Sequence, residues 1–210
     1  MSEWAAIFDW DGVIVDSSRQ HAESWERLAK RTGHPLPTGH FERSFGMTSK
    51  RIFAEILKWP GNVAEYAWLK EQLYRDIVAE TGIEPLPGVR EFLERLRGAG
   101  IPCAIGSSTP HENIDCVIKR VGLGHYFRAI VAGEDVTHGK PDPEVFLLCA
   151  QKLGFKPGHC VVFEDAHVGI DAARAAGMRV IAVATTHPAE SLRDADRVVR
   201  RLDELSVDDF

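Results

Sequence analysis

The sequence predicts an α/β fold: a parallel sheet covered by helices on both faces, with an all-helical insert after its first strand. Three observations predict it. The apolar run Trp4-Ala5-Ala6-Ile7-Phe8 leads into Asp9 and Asp11 and reads as a strand buried on both faces. Residues 17–82 then carry helical periodicity with no strand between. After them, short apolar runs alternate with helical patterns, as in right-handed βαβ units.

Taken in order, Gly12 permits a tight bend after the first strand. Asp16 or Ser17 caps a helix with Ala22, Trp25, Leu28 and Ala29 on one face, stopped at Gly33. Thr48 caps a second helix, with Ile52, Phe53, Ile56 and Leu57, that ends before Pro60. Asn62 caps a third, with Tyr66, Leu69, Leu73 and Ile77, closed by Gly82. Pro85-Leu86-Pro87-Gly88 is the return linker. The division expected is therefore residues 1–16 with 83–210 as the α/β core and 17–82 as a helical cap.

In the returning segment, Val89, Phe92, Leu93 and Leu96 mark a helix, and Ile101 to Ile105 a strand. The next helix is expected to start on Thr109 as cap, with Pro110 at its first position and Glu112 completing a capping box. Ala129 to Ala132 is a third strand, and Phe146, Leu147, Ala150 and Leu153 lie on the helix opened by Pro143. Cys160 to Phe163 is a fourth strand. A small-residue helix runs to Gly177, Val180 to Ala184 is a fifth strand, and Val198-Val199 a short sixth.

Bulk numbers exclude several function classes. Hydrophobic content of 44% and charged content of 27% fit one large globular domain or a domain with an insert. A net charge of −6 leaves no basic footprint for nucleic acid. No apolar window is long enough for a membrane span, and Asp9 and Asp11 interrupt the one apolar run that could resemble a secretory signal. Cys103, Cys116, Cys149 and Cys160 are scattered in apolar surroundings and read as reduced core residues. Cytoplasmic location and a monomer are the default expectations.

The polar residues fall in a pattern. Asp9 and Asp11 follow strand one, Ser107 strand two, Lys140 strand three, and Glu164 with Asp165 strand four. All would reach the carboxyl edge of one sheet, where open α/β sheets bind ligands. Four carboxyl groups offer hard oxygen donors that suit Mg²⁺ shared with a phosphate. Lys140 adds a compact positive charge, Ser107 a hydroxyl, and the loop from Gly106 to Thr109 backbone N–H groups at a helix start. Cations and donors facing a carboxylate nucleophile are what phosphoryl transfer to an aspartate requires.

Four stretches now carry a resemblance: Asp9-x-Asp11-Gly12-Val13 with Asp16-Ser17; the strand-end Ser107; Gly139-Lys140-Pro141-Asp142-Pro143; and Glu164-Asp165-Ala166-x-x-Gly169-Ile170. They resemble the motifs of the haloacid dehalogenase-like superfamily, whose core is Rossmann-like. The insert is similar to the helical cap of the branch holding β-phosphoglucomutase and many small-molecule phosphatases. The resemblance implies a Mg²⁺-dependent phosphatase acting on a small phosphomonoester. Asp9 would be the nucleophile that becomes an aspartyl phosphate. Asp11 would be the general acid and then base, and would bind Mg²⁺ through its main-chain carbonyl. Ser107 would bond the phosphoryl group and Lys140 would bridge Asp9 and the phosphate. Asp165 would ligate Mg²⁺, with Glu164 ligating directly or through water. Asp11 must hold a proton while Asp9 does not, so their surroundings must split the two pKa values.

Thr109, Ser108, His21 and Gly46 are further substrate-site candidates on the same resemblance. For Thr109 the helix cap is the favoured reading, and for Lys50 and Arg51 exposed helix charge is. His111, His138 and His167 read as surface residues, and Trp10 as lining or packing. The alternative function is a sugar phosphomutase. It is disfavoured because β-phosphoglucomutase carries an arginine in the cap loop where this chain has Ser49, with Lys50 next. A dehalogenase would lack the second aspartate. A phosphonate hydrolase would need a Schiff-base lysine in the cap, for which Lys50 and Lys58 are available. A phospho-accepting signalling module would have no helical insert.

Overall fold

The computed structural model describes residues 3–44 and 46–210; residues 1 and 2 of the expected core segment lie outside them. The first apolar run forms β1 (Ala5–Phe8), buried at every position. It pairs in parallel with β2 (Cys103–Gly106) on one side and β4 (Cys160–Glu164) on the other. With β3 (Phe127–Val131), β5 (Arg179–Val183) and β6 (Arg197–Val199), the described residues form a parallel sheet in the order β3-β2-β1-β4-β5-β6. The chain winds outward from β1 to β3 and then returns to β1's other flank. Strand direction of travel thus reverses beside β1, which opens a crevice at the carboxyl ends there.

Alternation along β1 explains why both faces must be covered. Ala6 and Phe8 join a cluster with Phe92, Ile114 and Phe163, supplied in part by α4 (Val89–Gly98) and α5 (His111–Val121). Ala5 and Ile7 join another with Phe146, Cys149, Val162 and Ile170, under α6 (Glu144–Leu153) and α7 (His167–Ala175). Trp10 lies wholly inside the first cluster, so it packs and does not line an entrance.

Between β1 and α4, the described residues form helices and no strand: α1 (Ser18–Thr32), α2 (Ser49–Ile52), a π-helical continuation Phe53–Leu57, and α3 (Val63–Thr81). Trp25, Leu28, Ile52, Phe53, Leu57 and Trp59 make a third apolar cluster among them. Thr48 and Asn62 cap α2 and α3 as expected, accepting the N–H groups of Arg51 and Glu65. Gly33 ends α1 in the left-handed region. One of the expected caps changes hands and another does not form. Ser17 occupies the N-cap position of α1 with no side-chain cap bond, and it is Asp16 that accepts the Ser18 N–H, at 3.2 Å. Helix α5 begins at His111, with Pro110 still extended at its N-cap, so Pro110 is not the first helical residue and no capping box forms there. The four cysteines are free, with Cys116 only half-buried. Among the described residues, no helix is long and apolar enough to cross a membrane.

Candidate active site

Asp9 leaves β1 at the crevice. Its N–H donates to the Phe163 carbonyl of β4, which fixes the residue against the neighbouring strand end. Its buried carboxylate accepts from Lys140 Nζ at 2.6 Å. The same ammonium donates to Glu164 Oε1 at 2.7 Å and lies over the Phe146 ring. Lys140 therefore bridges two carboxylates of the protein. Burial works against this ammonium, but Asp9 and Glu164 hold its pKa above the usual lysine value.

Glu164 is held at both oxygens, since Oε2 accepts the N–H groups of Asp165 and Ala166 at 2.7 Å each. Gly169 in the first turn of α7 makes room for it: a Cβ there would lie 1.7 Å from Glu164 Oε1. Asp165 accepts from the Thr186 hydroxyl. Asp9, Glu164 and Asp165 each bring a carboxylate oxygen within 4.8 Å of the others, an arrangement that can hold a metal ion. The Asp11 carboxylate lies outside this group, so three carboxyl side chains converge and not four; any metal contact of Asp11 falls to its main chain. Burial pushes Asp9 up to about 7, with Glu164 and Asp11 adding to the shift and Lys140 opposing it. Burial, Glu164 and Asp9 put Asp165 well above the carboxylate range too. Three buried acids share one lysine, and a divalent cation is the further positive charge that such a set calls for.

Asp11 follows the bend at Trp10 and is turned to other partners. Ser17 donates to Oδ1 and Thr109 to Oδ2, both at 2.5 Å. His21 Nε2 stands 3.4 Å from Oδ1. The other ring nitrogen of His21 lies 2.8 Å from Lys70 Nζ, which can only donate. Nδ1 must therefore accept, and the ring proton sits on Nε2, facing Asp11. Tyr74 stacks on this imidazole at 4.2 Å between centroids. Burial pushes Asp11 up, but His21, Ser17 and Thr109 outweigh it and hold the carboxyl at about 2. The two aspartates are thus split in the reverse of the expected order. A cation bound at Asp9 would lower its pKa, and a dianion beside Asp11 would raise that of Asp11.

The other expected residues fall as follows. Ser107 is buried at the end of β2; its hydroxyl accepts the Thr109 N–H, which frees its own proton for the cavity. Ser108 and Gly46 meet each other, the hydroxyl donating to the Gly46 carbonyl at 2.8 Å. Gly46 has φ +74°, and a Cβ on it would stand 2.6 Å from Val168. Asp9, Asp11, Gly46, Ser107, Ser108, Thr109 and Asp165 line one cavity of about 70 Å³. His21 lines an adjoining one.

Thr109 binds Asp11 and caps nothing; the charged acceptor wins over the helix end, and Glu134 takes the His111 N–H in its place. Arg51 is likewise more than exposed charge, because its Nη1 donates to the Lys140 carbonyl at 2.7 Å. Sequence reasoning missed Thr186 and the buried pair Lys70–Glu71. Glu71 accepts from Ser49, Lys70 and Asn113. Lys70 and Tyr74 are four residues apart on α3, one stripe round from the apolar Leu69–Leu73 pair, and that spacing was the available signal.

A doubly wound sheet with a lysine-bridged acid cluster at its switch point and a second, separately held aspartate in the same cavity defines an α/β enzyme for phosphoryl chemistry. The comparisons agree. The model of the haloacid dehalogenase-like hydrolase family matches residues 5–177. The chloroplastic 5-amino-6-(5-phospho-D-ribitylamino)uracil phosphatase of Arabidopsis thaliana is 39% identical over 98% of the chain, which spans 56% of that relative's length. The fructose-1-phosphate phosphatase of Escherichia coli is 36% identical over 84% of this chain and 94% of its own. A crystal structure of β-phosphoglucomutase from Clostridium difficile superposes with a TM-score of 0.86 at 29% identity, covering 99% of this chain and 95% of that one. The chain belongs to the haloacid dehalogenase-like hydrolase family, and it is a hydrolase of the phosphatase kind.

Proposed function

We propose that the protein hydrolyses a small phosphorylated sugar or polyol through an aspartyl-phosphate on Asp9. The observation that carries this is the split pair: Asp9 bound by Lys140 in an acid cluster, and Asp11 held by three other donors in the same cavity. Residues 17–82 act as the cap over a core of 1–16 and 83–210. Asp9, Asp165 and Glu164, with the Asp11 main-chain carbonyl, would hold Mg²⁺, which when bound neutralises the acids and the phosphate so that the two can approach.

In the first step Asp9 Oδ forms a bond to phosphorus as the phosphorus–alkoxide bond breaks. The alkoxide takes the electron pair and a proton from the Asp11 carboxyl. Lys140 and Ser107 bind the equatorial oxygens as they gain charge. In the second, water bonds to phosphorus and yields its proton to Asp11, and the bond to Asp9 breaks to return its carboxylate. Inorganic phosphate and the alcohol leave. Thr109, Ser17 and His21 aim Asp11 throughout.

The relatives act, by name, on a phosphoribitylamino-uracil and on fructose 1-phosphate, which supports a hydroxylated leaving group. The mutase alternative needs a second phosphate site in the cap. Ser49, at the position expected to carry it, donates to Glu71, and a buried carboxylate there opposes a phosphate. The phosphonate alternative is opposed because Lys50 lines outer clefts that do not include Asp9. Free thiols, three of them buried, accord with a reducing compartment such as the cytoplasm. The test is phosphate release from a panel of sugar and polyol phosphates with Mg²⁺, for wild type and Asp9→Asn. Turnover that vanishes in the variant is expected. No release across the panel, or an active variant, overturns the reading.

A further inference from the structure

Lys140 is held at both ends. Its ammonium donates to Asp9 and Glu164, and its main-chain carbonyl accepts from Arg51 Nη1 at 2.7 Å. The residue stands in the irregular loop 132–143 between β3 and α6, not on a strand. Glu144 accepts the N–H groups of Thr137 and His138, and Asp142 donates its N–H to the Gly139 carbonyl, so the loop is tied on either side of Lys140. The Lys140–Pro141 peptide has no N–H, which leaves the carbonyl as its one polar handle. The donor to that handle comes from the helical segment, 89 residues away.

Arg51 is aimed before it reaches the loop. Its N–H is bound by Thr48, and its Nε donates at 2.7 Å to Glu55 Oε1, four residues on. Nε and Nη1 belong to one rigid plane, so the bond to Glu55 fixes the direction of the other. The Thr48 methyl faces the same stretch of loop, where a Cβ on Gly139 would stand 3.4 Å from it. An open cleft lined by Thr48, Arg51, Glu55, Thr137 and Pro141 lies beside the bridge. The Arg51 side chain is 34% exposed, so its removal opens no sealed cavity. The loop's position is nonetheless felt at the reacting atoms. A four-carbon stem joins this main chain to the ammonium, and a misplacement of about 1 Å in an active site costs about 10²-fold in rate.

We infer that Arg51 is a positioning residue: from the helical segment it holds the Lys140 main chain and so sets the ammonium between Asp9 and Glu164. Seating α2 on the core and completing the acid cluster are then one event. The kinetic consequence rests on the phosphatase reading above; the placement of Lys140 does not. The variants are Arg51→Met, Arg51→Lys and, as a charge control on the same helix, Lys50→Met. Two readouts are taken with Mg²⁺. One is steady-state hydrolysis of p-nitrophenyl phosphate and the sugar phosphate panel. The other is the rate at which an N-hydroxysuccinimide ester of acetic acid acetylates Lys140, resolved by peptide mass spectrometry. Lys70, 3% exposed in the helical segment, is the internal reference for general loosening.

Arg51→Met is expected to lower kcat about tenfold, the scale of one hydrogen bond from a charged donor, with KM changed less. Acetylation of Lys140 should speed up about tenfold relative to Lys70, as local opening of the loop exposes it. Arg51→Lys should fall between wild type and Arg51→Met, because an ammonium can serve Glu55 or the carbonyl but lacks the fixed fork that serves both. Lys50→Met should match wild type in both readouts. A kcat or a Lys140 acetylation rate in Arg51→Met within about twofold of wild type overturns the inference. So does equal acceleration at Lys140 and Lys70, or a loss in Lys50→Met as large as that in Arg51→Met. If wild type hydrolyses none of the esters, the phosphatase reading falls, and acetylation alone decides the placement.

Discussion

Lys140→Met tests the acid cluster at the side chain its members share. The substitution keeps most of the side-chain volume and removes the ammonium that stands 2.6 Å from Asp9 and 2.7 Å from Glu164. What remains is three buried carboxylates with an oxygen of each inside 4.8 Å of the others. Breaking a buried ion pair from one side costs about 3–5 kcal/mol, because the surviving charge keeps its desolvation penalty. For a chain of this size that corresponds to a fall of about 6–20 °C in Tm. The assay is urea denaturation at pH 7.5 in chelator, repeated in 10 mM Mg²⁺. The loss should be largest in chelator and smaller with the cation, which takes over part of the neutralisation. Phosphate release should stay absent in both, since the equatorial oxygens have lost their lysine. A variant within 1 kcal/mol of wild type in chelator would refute the claim that Lys140 holds the cluster together.

Three other outcomes follow from the same geometry. Gly169→Ala should cost about 1–3 kcal/mol or more and abolish activity, because its Cβ would overlap Glu164; Gly98→Ala, with nothing within 4 Å, is the control and should be neutral or stabilising by thermal unfolding. Thr109→Val should lower kcat about tenfold with KM nearly unchanged, since one donor to a charged acceptor is lost, and the alkaline limb of the pH dependence of kcat/KM, set by the Asp11 proton, should move up as the Asp11 anion loses support. In chelator, Tm should fall as pH rises from 5 to 8: Asp9 and Asp165 are raised by burial and neighbouring acids, so the stability they contribute is fully present below the unfolded value of 3.8 and is lost as pH passes about 7 for Asp9. Asp11 and Glu71, where burial is outweighed by donors and cations, act with opposite sign, but only as pH drops below about 4. Mg²⁺ should flatten the slope between pH 5 and 8, and a flat Tm without it would refute the shifts.

The elements that sequence made legible are those governed by short-range rules. Ala5–Phe8 is continuously apolar because a central parallel strand has no wet face. Thr48 and Asn62 cap their helices because no stronger acceptor competes for their side chains or the N–H groups they serve. Asp9, Glu164 and Asp165 meet because each ends, or lies just beyond, a strand of one sheet, so topology delivers them, while Lys140 reaches them from the long loop after β3. What was not legible depends on a partner far along the chain. Thr109 satisfies every local requirement of a helix cap, yet a carboxylate 98 residues away takes its hydroxyl. Arg51 looks like solvated helix charge until folding brings a carbonyl 89 residues away within reach of its guanidinium. Lys70 and Glu71 look like surface residues until α3 is packed, and then neither is more than 8% exposed.

These long-range partners have a common location, which bears on how Asp11 works. Two of its three donors, Ser17 and His21, lie at and just beyond the start of the helical segment, while Thr109 comes from the end of β2. His21 is in turn fixed by Lys70 and Tyr74 on α3, and Lys70 by Glu71, which reaches Asn113 on α5. Asp11 is therefore set from both sides of the crevice, whereas Asp9 is set by strand ends and by Lys140, whose carbonyl is held by Arg51 of α2. Displacing α3 would strip Asp11 of its oriented imidazole and leave Asp9 and its cluster as they are. On the proposed mechanism, chemistry at phosphorus and proton delivery to the leaving oxygen rest on different side chains. Both reach into the helical segment, proton delivery through His21 and Lys70 and the acid cluster through Arg51, whose guanidinium holds the Lys140 carbonyl.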